Sequence, residues 1–348
     1  MTVKNNTEVV VQGAQQPRFE RSGLGYAISI LGVDGEVDVF VPPELPRDVV
    51  ISLFLRDDVV VNISEAGSYS LSFGPERAEL VVWNGQAAIL PPEREASRPV
   101  VAGQVGMFEW GGLDIQVETG YENLMGNSIL EDMPLENMSQ SLGGTLLPAM
   151  EAWNCSDRTP TAPNSIFEPI FFDGRQAFRL FRGIGTRSHG ETNCVHLFGP
   201  SGQVGRPVTD YNFLEVRTTF YIESHSLVVC GVAGSECPMM LLMDYIDENG
   251  DSNQWFHGFY ANSAPGTDFP QTCVSCSTDH KQINTETWYT YESGNLFTLL
   301  PEGARPASIL NVRFYASGHD YDVRVSDVSL IAAPVKMPQI DGSSERSS

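Results

Sequence analysis

The sequence predicts an all-β protein of two units, a small N-terminal β-roll or sandwich followed by a jelly-roll β-sandwich. Three observations carry this. Short apolar runs with alternating or continuous patterning recur along the chain, bounded by Gly, Pro, Asn and Asp. No helices alternate with these runs, which excludes the βαβ architecture of a parallel sheet. The strand rhythm stops between residues 120 and 150, and a length of 348 residues suits two domains.

In chain order, residues 1–19 read as a tail. The first β unit, 20–118, opens with strands at 26–31, 36–41 and 49–55, and Val33-Asp34-Gly35-Glu36 supplies a hairpin signal between the first two. Strands at 59–63, 68–73, 78–83 and 86–90 follow, and Asn84-Gly85 between the last two predicts a type I′ hairpin, because both residues tolerate positive φ. Residues 91–99 are a loop, and 106–117 hold two more strands. Residues 119–150 are Met-rich with Asn, Gly and Pro breakers; they read as a linker with one short helix at 135–142. The second unit, 151–335, carries strands at 166–172, 176–181, 194–198, 213–222, 226–230, 239–246, 254–260, 287–291, 309–315 and 321–331. Residues 336–348 are expected to be a disordered tail.

The chain has 21 Lys and Arg against 44 Asp and Glu, a formal charge of −23. Such a surface repels phosphate backbones and anionic lipid, so nucleic-acid binding is disfavoured and neutral or cationic ligands fit better. No apolar run reaches the roughly 18 residues of a membrane span, and no signal peptide is evident. A membrane would be met only through an anchor outside this chain. All six cysteines follow residue 150, and their even number fits disulfides in an oxidising compartment, hence an extracytoplasmic location. The expected pairs are Cys155–Cys194, Cys230–Cys237 and Cys273–Cys276. A zinc site built from Cys230, Cys237, Cys273 and Cys276 stays open as the alternative, since Cys273-Val-Ser-Cys276 has metal-ligand spacing.

Two family resemblances add to this. Residues 55–71 (LRDDVVVNISEAGSYSL) and 78–89 (AELVVWNGQAAI) resemble the extracytoplasmic domain of FecR-type proteins, which implies a small β-roll and a link to envelope signalling. The second unit resembles galactose-binding-like sandwiches found among carbohydrate-binding modules. A strand ending in Phe172-Asp173-Gly174, the hairpin Asp244–Gly250 ahead of a Trp, and the closing YDVRVSDVSL carry that likeness. It implies carbohydrate binding and a structural calcium held by Asp327, with Asp173 as a second ligand.

The ligand-binding candidates are Trp255, His257, Tyr260, Trp288 and Tyr291. Flat aromatic rings stack on the apolar faces of sugars while polar neighbours bond the hydroxyls. A period of two puts Trp255 and His257 on one strand face, and turns Trp288 and Tyr291 to opposite faces. The competing use of these rings is to fill the sandwich core. Asp247, Asn249 and Asp251 have the alternation of a calcium loop, but Ser252 and Gly258 stand where its Gly and Glu belong, so a polar β-turn is expected. No nucleophile elbow, zinc-protease helix, phosphate loop or paired-carboxylate signature is present. The expected function is therefore a non-catalytic, extracytoplasmic bacterial envelope protein that binds a glycan. The alternative is a structural or assembly protein acting on envelope proteins.

Overall fold

The computed structural model describes residues 1–3, 7–18, 25–42, 45–91, 96–112, 114–125, 153–158, 163–183, 185, 187–199, 205–263, 266, 270–273, 276 and 278–334. The helix expected at 135–142 and the tail at 336–348 lie outside them. The chain is all-β, and among the described residues no helix is long and apolar enough to cross a membrane.

The described strands between residues 2 and 119 form one eleven-stranded sheet that encloses its own core. Its spine is the 16-residue strand Tyr26–Val41. The first half of this strand pairs in parallel with Val49–Phe54, and the second half pairs antiparallel with Gly67–Phe73. The hairpin expected at 33–36 does not form. The reason lies in the stretch read as a tail. Residues Glu8–Gln15 are a strand paired along the first half of Tyr26–Val41, so the continuous strand satisfies more backbone groups than a turn would. Gly35, at φ 115°, bends the chain where Thr7 docks; the Thr7 hydroxyl accepts the Glu36 N–H at 2.9 Å.

The Asn84-Gly85 hairpin is also corrected. Gly85 does have positive φ, at 84°. However, Arg77–Asn84 pairs with Gly67–Phe73 and Gln104–Glu109, while Gln86–Leu90 pairs with Val60–Ile63 and Arg98–Val101. The glycine turns a corner between two half-sheets. Alternate residues of both strands, Leu80 and Val82 before it and Ala87 and Ile89 after it, close over the same core.

The second unit is two sheets face to face. One has six strands, in the order Ile166–Phe172, Arg175–Arg182, Tyr321–Pro334, Tyr211–His225 and Trp288–Glu292, with Glu122–Asn123 beside Tyr321–Pro334. The other has seven, in the order Trp153–Asp157, Gly190–Leu197, Pro306–Gly318, Met239–Asp247, Ser252–Tyr260 and Lys281–Gln282, with Arg206–Pro207 beside Pro306–Gly318. Trp153, Phe220, Phe259, Phe314 and Leu241 fill the space between them and are fully buried. Each such side chain stabilises the fold by about 1.5–3 kcal/mol. The connection thus starts docked on the sandwich, because Glu122–Asn123 extends the six-stranded sheet.

The strand expected at 226–230 is instead a turn, with Val229 at φ 50° and Gly231 at φ 72°. Its apolar residues cover rather than pair. Val229, Cys230 and Cys237 pack on Met240, Leu242, Tyr260 and Tyr315, the outward side of the seven-stranded sheet. All three expected disulfides form: Cys155–Cys194, Cys230–Cys237 and Cys273–Cys276. Cys155 sits in a strand the sequence pattern did not reveal, directly across from Cys194.

Candidate functional site

The sequence candidates do not come together on a surface. Trp255 and His257 share a strand face, as the period of two requires, but that face is the core side, where they are 2% and 5% exposed. His257 lies between two parallel rings, Tyr291 at 4.6 Å and Trp255 at 6.3 Å, and its Nδ1 bonds the Thr278 hydroxyl at 2.7 Å. Burial, with His280 and Lys281 nearby, lowers its pKa to about 4, so the ring is neutral. Burial likewise pushes the Tyr291 hydroxyl above its usual range. Tyr260 is buried under the 226–237 turn. Trp255 and His257 are buried on the core side, Tyr291 packs against the core and Tyr260 lies under the turn, so these four rings do not form the expected binding face. Trp288 points to the outward side of the six-stranded sheet, and its Nε1 donates to Asp173 at 3.1 Å.

The expected calcium ligands stand apart in their bonding. Asp173 accepts the Trp288 indole, and Asp327 accepts the Ser329 hydroxyl at 2.7 Å. Among the described residues, the groupings of three or more candidate metal-ligating side chains include neither aspartate. The acidic turn after Met239–Asp247 is the polar turn expected. The Asp247 carboxylate accepts the backbone N–H groups of Asn249 and Asp251 and the side-chain amide of Asn253, at 2.7 to 2.9 Å.

The outward side of the six-stranded sheet meets the first unit, and between them lies a cleft of about 570 Å³. Alternation builds both walls. In Tyr26–Val41, Val37, Val39 and Val41 face the core, so Asp38 and Phe40 face the sandwich. In Tyr211–His225, Val216 and Phe220 face the core, so Arg217 and Thr219 face the cleft. Trp83 and Tyr121 add two rings, 5.4 Å apart, and Tyr121 packs on Phe213 of the sandwich at 5.6 Å.

Arg217 ties the walls together. Its guanidinium lies 3.4 Å from Asp38 of the first unit, 3.3 Å from Glu292 of the second, and 4.8 Å from the Trp83 ring centre. It also donates to the Ser70 hydroxyl at 3.2 Å, which receives the Trp83 indole N–H at 2.8 Å and itself donates to Asp38. Burial opposes the charge on Arg217, yet Asp38, Glu292, Asp327 and Glu215 outweigh it and raise the pKa. Arg175 stacks over Phe40 at 4.3 Å and reaches the Trp288 ring at 5.3 Å, so Trp288 borders the cleft. Hydroxyls of Ser68, Thr219, Thr290 and Ser329 and amides of Asn84, Gln104 and Asn123 complete the lining. Two arginines face three carboxylates there, so the cleft is nearly neutral in a strongly acidic chain. Such a surface can stack flat apolar faces and bond many hydroxyls. Sequence reading missed it, although charges set among apolar strand residues, Asp38 in EVDVFV and Arg217 in FLEVRTTFYI, were the available signal.

No protein-family model matches the chain, and no curated protein does. Similar solved structures include a family 11 carbohydrate-binding module of a cellulosomal cellulase from Clostridium thermocellum, at 10% identity over 62% of this chain and 95% of that one, TM-score 0.32. A family 61 module in complex with β-1,4-galactotriose matches at 10% identity over 60% of this chain and 97% of that one, TM-score 0.27. A candidate anti-sigma factor from Parabacteroides distasonis matches at 14% identity over 30% of this chain and 45% of that one, TM-score 0.23. The chain spans about half the length of the anti-sigma-factor structures it matches. TM-scores this low carry no argument about ligand or activity, and the architecture rests on the sheets described above.

Proposed function

We propose that this is a non-catalytic, extracytoplasmic glycan-binding protein of the bacterial envelope, and that the glycan lies in the cleft between the two β units. The cleft is the observation that carries the reading. Its size suits a small ligand at a domain boundary. Its rings, hydroxyls, amides and near-balanced charge suit a neutral, hydroxyl-rich molecule better than a phosphate or a lipid. The extracytoplasmic part is supported by the pairing of all six cysteines. The non-catalytic part is supported by the state of the cleft carboxylates: Arg217 and Ser70 hold Asp38, Arg206 and Tyr211 hold Glu122, and Ser329 donates to Asp327.

A second reading, assembly with envelope proteins, has its own observation. An apolar hollow of about 590 Å³ in the first unit is lined by Val11, Tyr26, Ile28, Leu45 and Ile51 among others, and Val10 and Val11 stand 46% and 60% exposed beside it.

A glycan array probed with the full chain separates the two. It should be run with and without calcium, with a mixed-linked β-1,3-1,4-glucan tetrasaccharide and β-1,4-galactotriose among the probes. Selective binding supports the glycan reading. Binding that needs calcium would support the calcium-ligand role that the family resemblance implies for Asp327 and Asp173. A blank array rejects the glycan reading in favour of protein assembly.

A further inference from the structure

The Cys230–Cys237 and Cys273–Cys276 disulfides both lie beside one imidazole, that of His280. Cys230, Cys237 and His280 present ligand atoms within 4.8 Å of one another, and so do Cys273, Cys276 and His280. His280 is 5% exposed. Its Nε2 faces the Gly234 carbonyl, and the Cys276 sulfur lies 3.7 Å from the same nitrogen. An Nε2–H donating to that carbonyl leaves the lone pair on Nδ1. That Nδ1 is buried and has no hydrogen-bond partner. It points to the side where Gly258 lacks a Cβ; an added Cβ there would meet His280 Nδ1 at 2.6 Å and the Cys237 sulfur as well. A buried imidazole whose far N–H is held by a backbone carbonyl, with its lone pair turned to two sulfurs, is the arrangement of a metal-ligating histidine.

We propose that, once the Cys230–Cys237 disulfide is reduced, Cys230, Cys237 and His280 Nδ1 bind a divalent ion of the zinc class. Soft thiolates with one imidazole select such an ion, and a solvent ligand completes its tetrahedral set. The reductant is a dithiol or a phosphine. Each S–S bond takes two electrons and two protons and becomes two S–H groups, while a dithiol is oxidised to its own disulfide or a phosphine to its oxide. Each thiol that then ligates the metal releases its proton to solvent. The site and the Cys230–Cys237 disulfide are thus alternative states of the same sulfurs, and the redox poise around the protein selects between them.

The test uses the full chain with its six cysteines, and the variants below assign any bound metal to the cluster. Oxidised and phosphine-reduced samples are given Zn(II), desalted, and assayed for bound metal; Co(II) serves as the spectroscopic probe. The expected result is one equivalent retained by the reduced protein and none by the oxidised one, with thiolate-to-cobalt charge-transfer absorption and tetrahedral ligand-field bands. His280→Ala should weaken binding at least tenfold. Cys237→Ser, which loses a ligand and cannot form its disulfide, should do the same and serves where the histidine variant fails to fold. The proposal is overturned if the reduced protein retains no metal, or if both variants hold it as tightly as their parent.

Discussion

Replacing Arg217 by Met removes the guanidinium that joins the two units but keeps the apolar stem. Arg217 and Asp38 have side chains only 9% and 11% exposed, so solvent screens their attraction little. Glu292, at 33%, is better solvated. Without Arg217, Asp38 keeps the Ser70 hydroxyl but loses its counter-charge across the cleft. Removing one partner of a buried pair costs about 3–5 kcal/mol. Asp38→Asn costs less, on the order of 2 kcal/mol, because Arg217 still has Glu292. The double variant leaves no unpaired buried charge across the cleft, so its loss should fall short of the sum by about 1.5–3 kcal/mol. Urea unfolding of the four proteins, followed by tryptophan fluorescence, measures that coupling; Trp83, beneath the Arg217 guanidinium, is a local reporter. Additivity within about 0.5 kcal/mol would refute the claim that this pair fastens one unit to the other.

Other outcomes follow from the same structure. His257 and His225 are buried with pKa values lowered to about 4, so the unfolded chain binds protons more readily than the folded one between pH 6.5 and 4. Stability is therefore fully present above pH 6.5 and falls on acidification through that window, by up to about 3 kcal/mol per histidine; a flat urea midpoint from pH 7 to 4 would contradict this. Breaking Cys155–Cys194 by a double Ser substitution releases a closure of 39 residues and should lower stability by about 4 kcal/mol, whereas the Cys273–Cys276 closure of 3 is worth about 2 kcal/mol on the same chain-entropy scale. Thermal unfolding of the two variants checks that order. Gly258→Ala drives a methyl against Met240 and His280, each at 2.6 Å, and should cost at least about 1–3 kcal/mol; an unchanged melting temperature would mean that the seven-stranded sheet and its cover are looser than described.

The all-β class was legible because alternation survives in most strands. The long strands Tyr211–His225, Pro306–Gly318 and Tyr321–Pro334 contain the runs read at 213–222, 309–315 and 321–331. The local turn signals misled where tertiary pairing outweighed them. Val33–Glu36 and Asn84-Gly85 have hairpin chemistry, but the first lies within one strand and the second joins strands with different neighbours. Residues 226–230 have strand composition and serve as a cover, since their apolar side chains find a sheet to lie on. Two of the cysteine pairs, Cys230–Cys237 and Cys273–Cys276, could be read from the short loops they close, whereas Cys155–Cys194 was only the pair that remained. The cleft could not be read from any window. Asp38, Trp83, Tyr121, Arg175 and Arg217 are dispersed over nearly two hundred positions, and what unites them is the docking of one unit on the outer side of the other's sheet. Trp255 and His257 show the converse: neighbouring polar and aromatic residues on one strand face promise a site, and the same face is the core.

Whether the cleft is a sugar site is decided by titrating the full chain and its Trp83→Ala variant with a glycan selected on the array. Trp83 lines the cleft and carries the Arg217 guanidinium on its ring, while its own indole N–H is bonded to Ser70. The prediction is a Kd at least about tenfold weaker in the variant, or about 1.4 kcal/mol of lost stacking, with the fold retained. Equal affinity in the two proteins would place the glycan elsewhere and contradict the account.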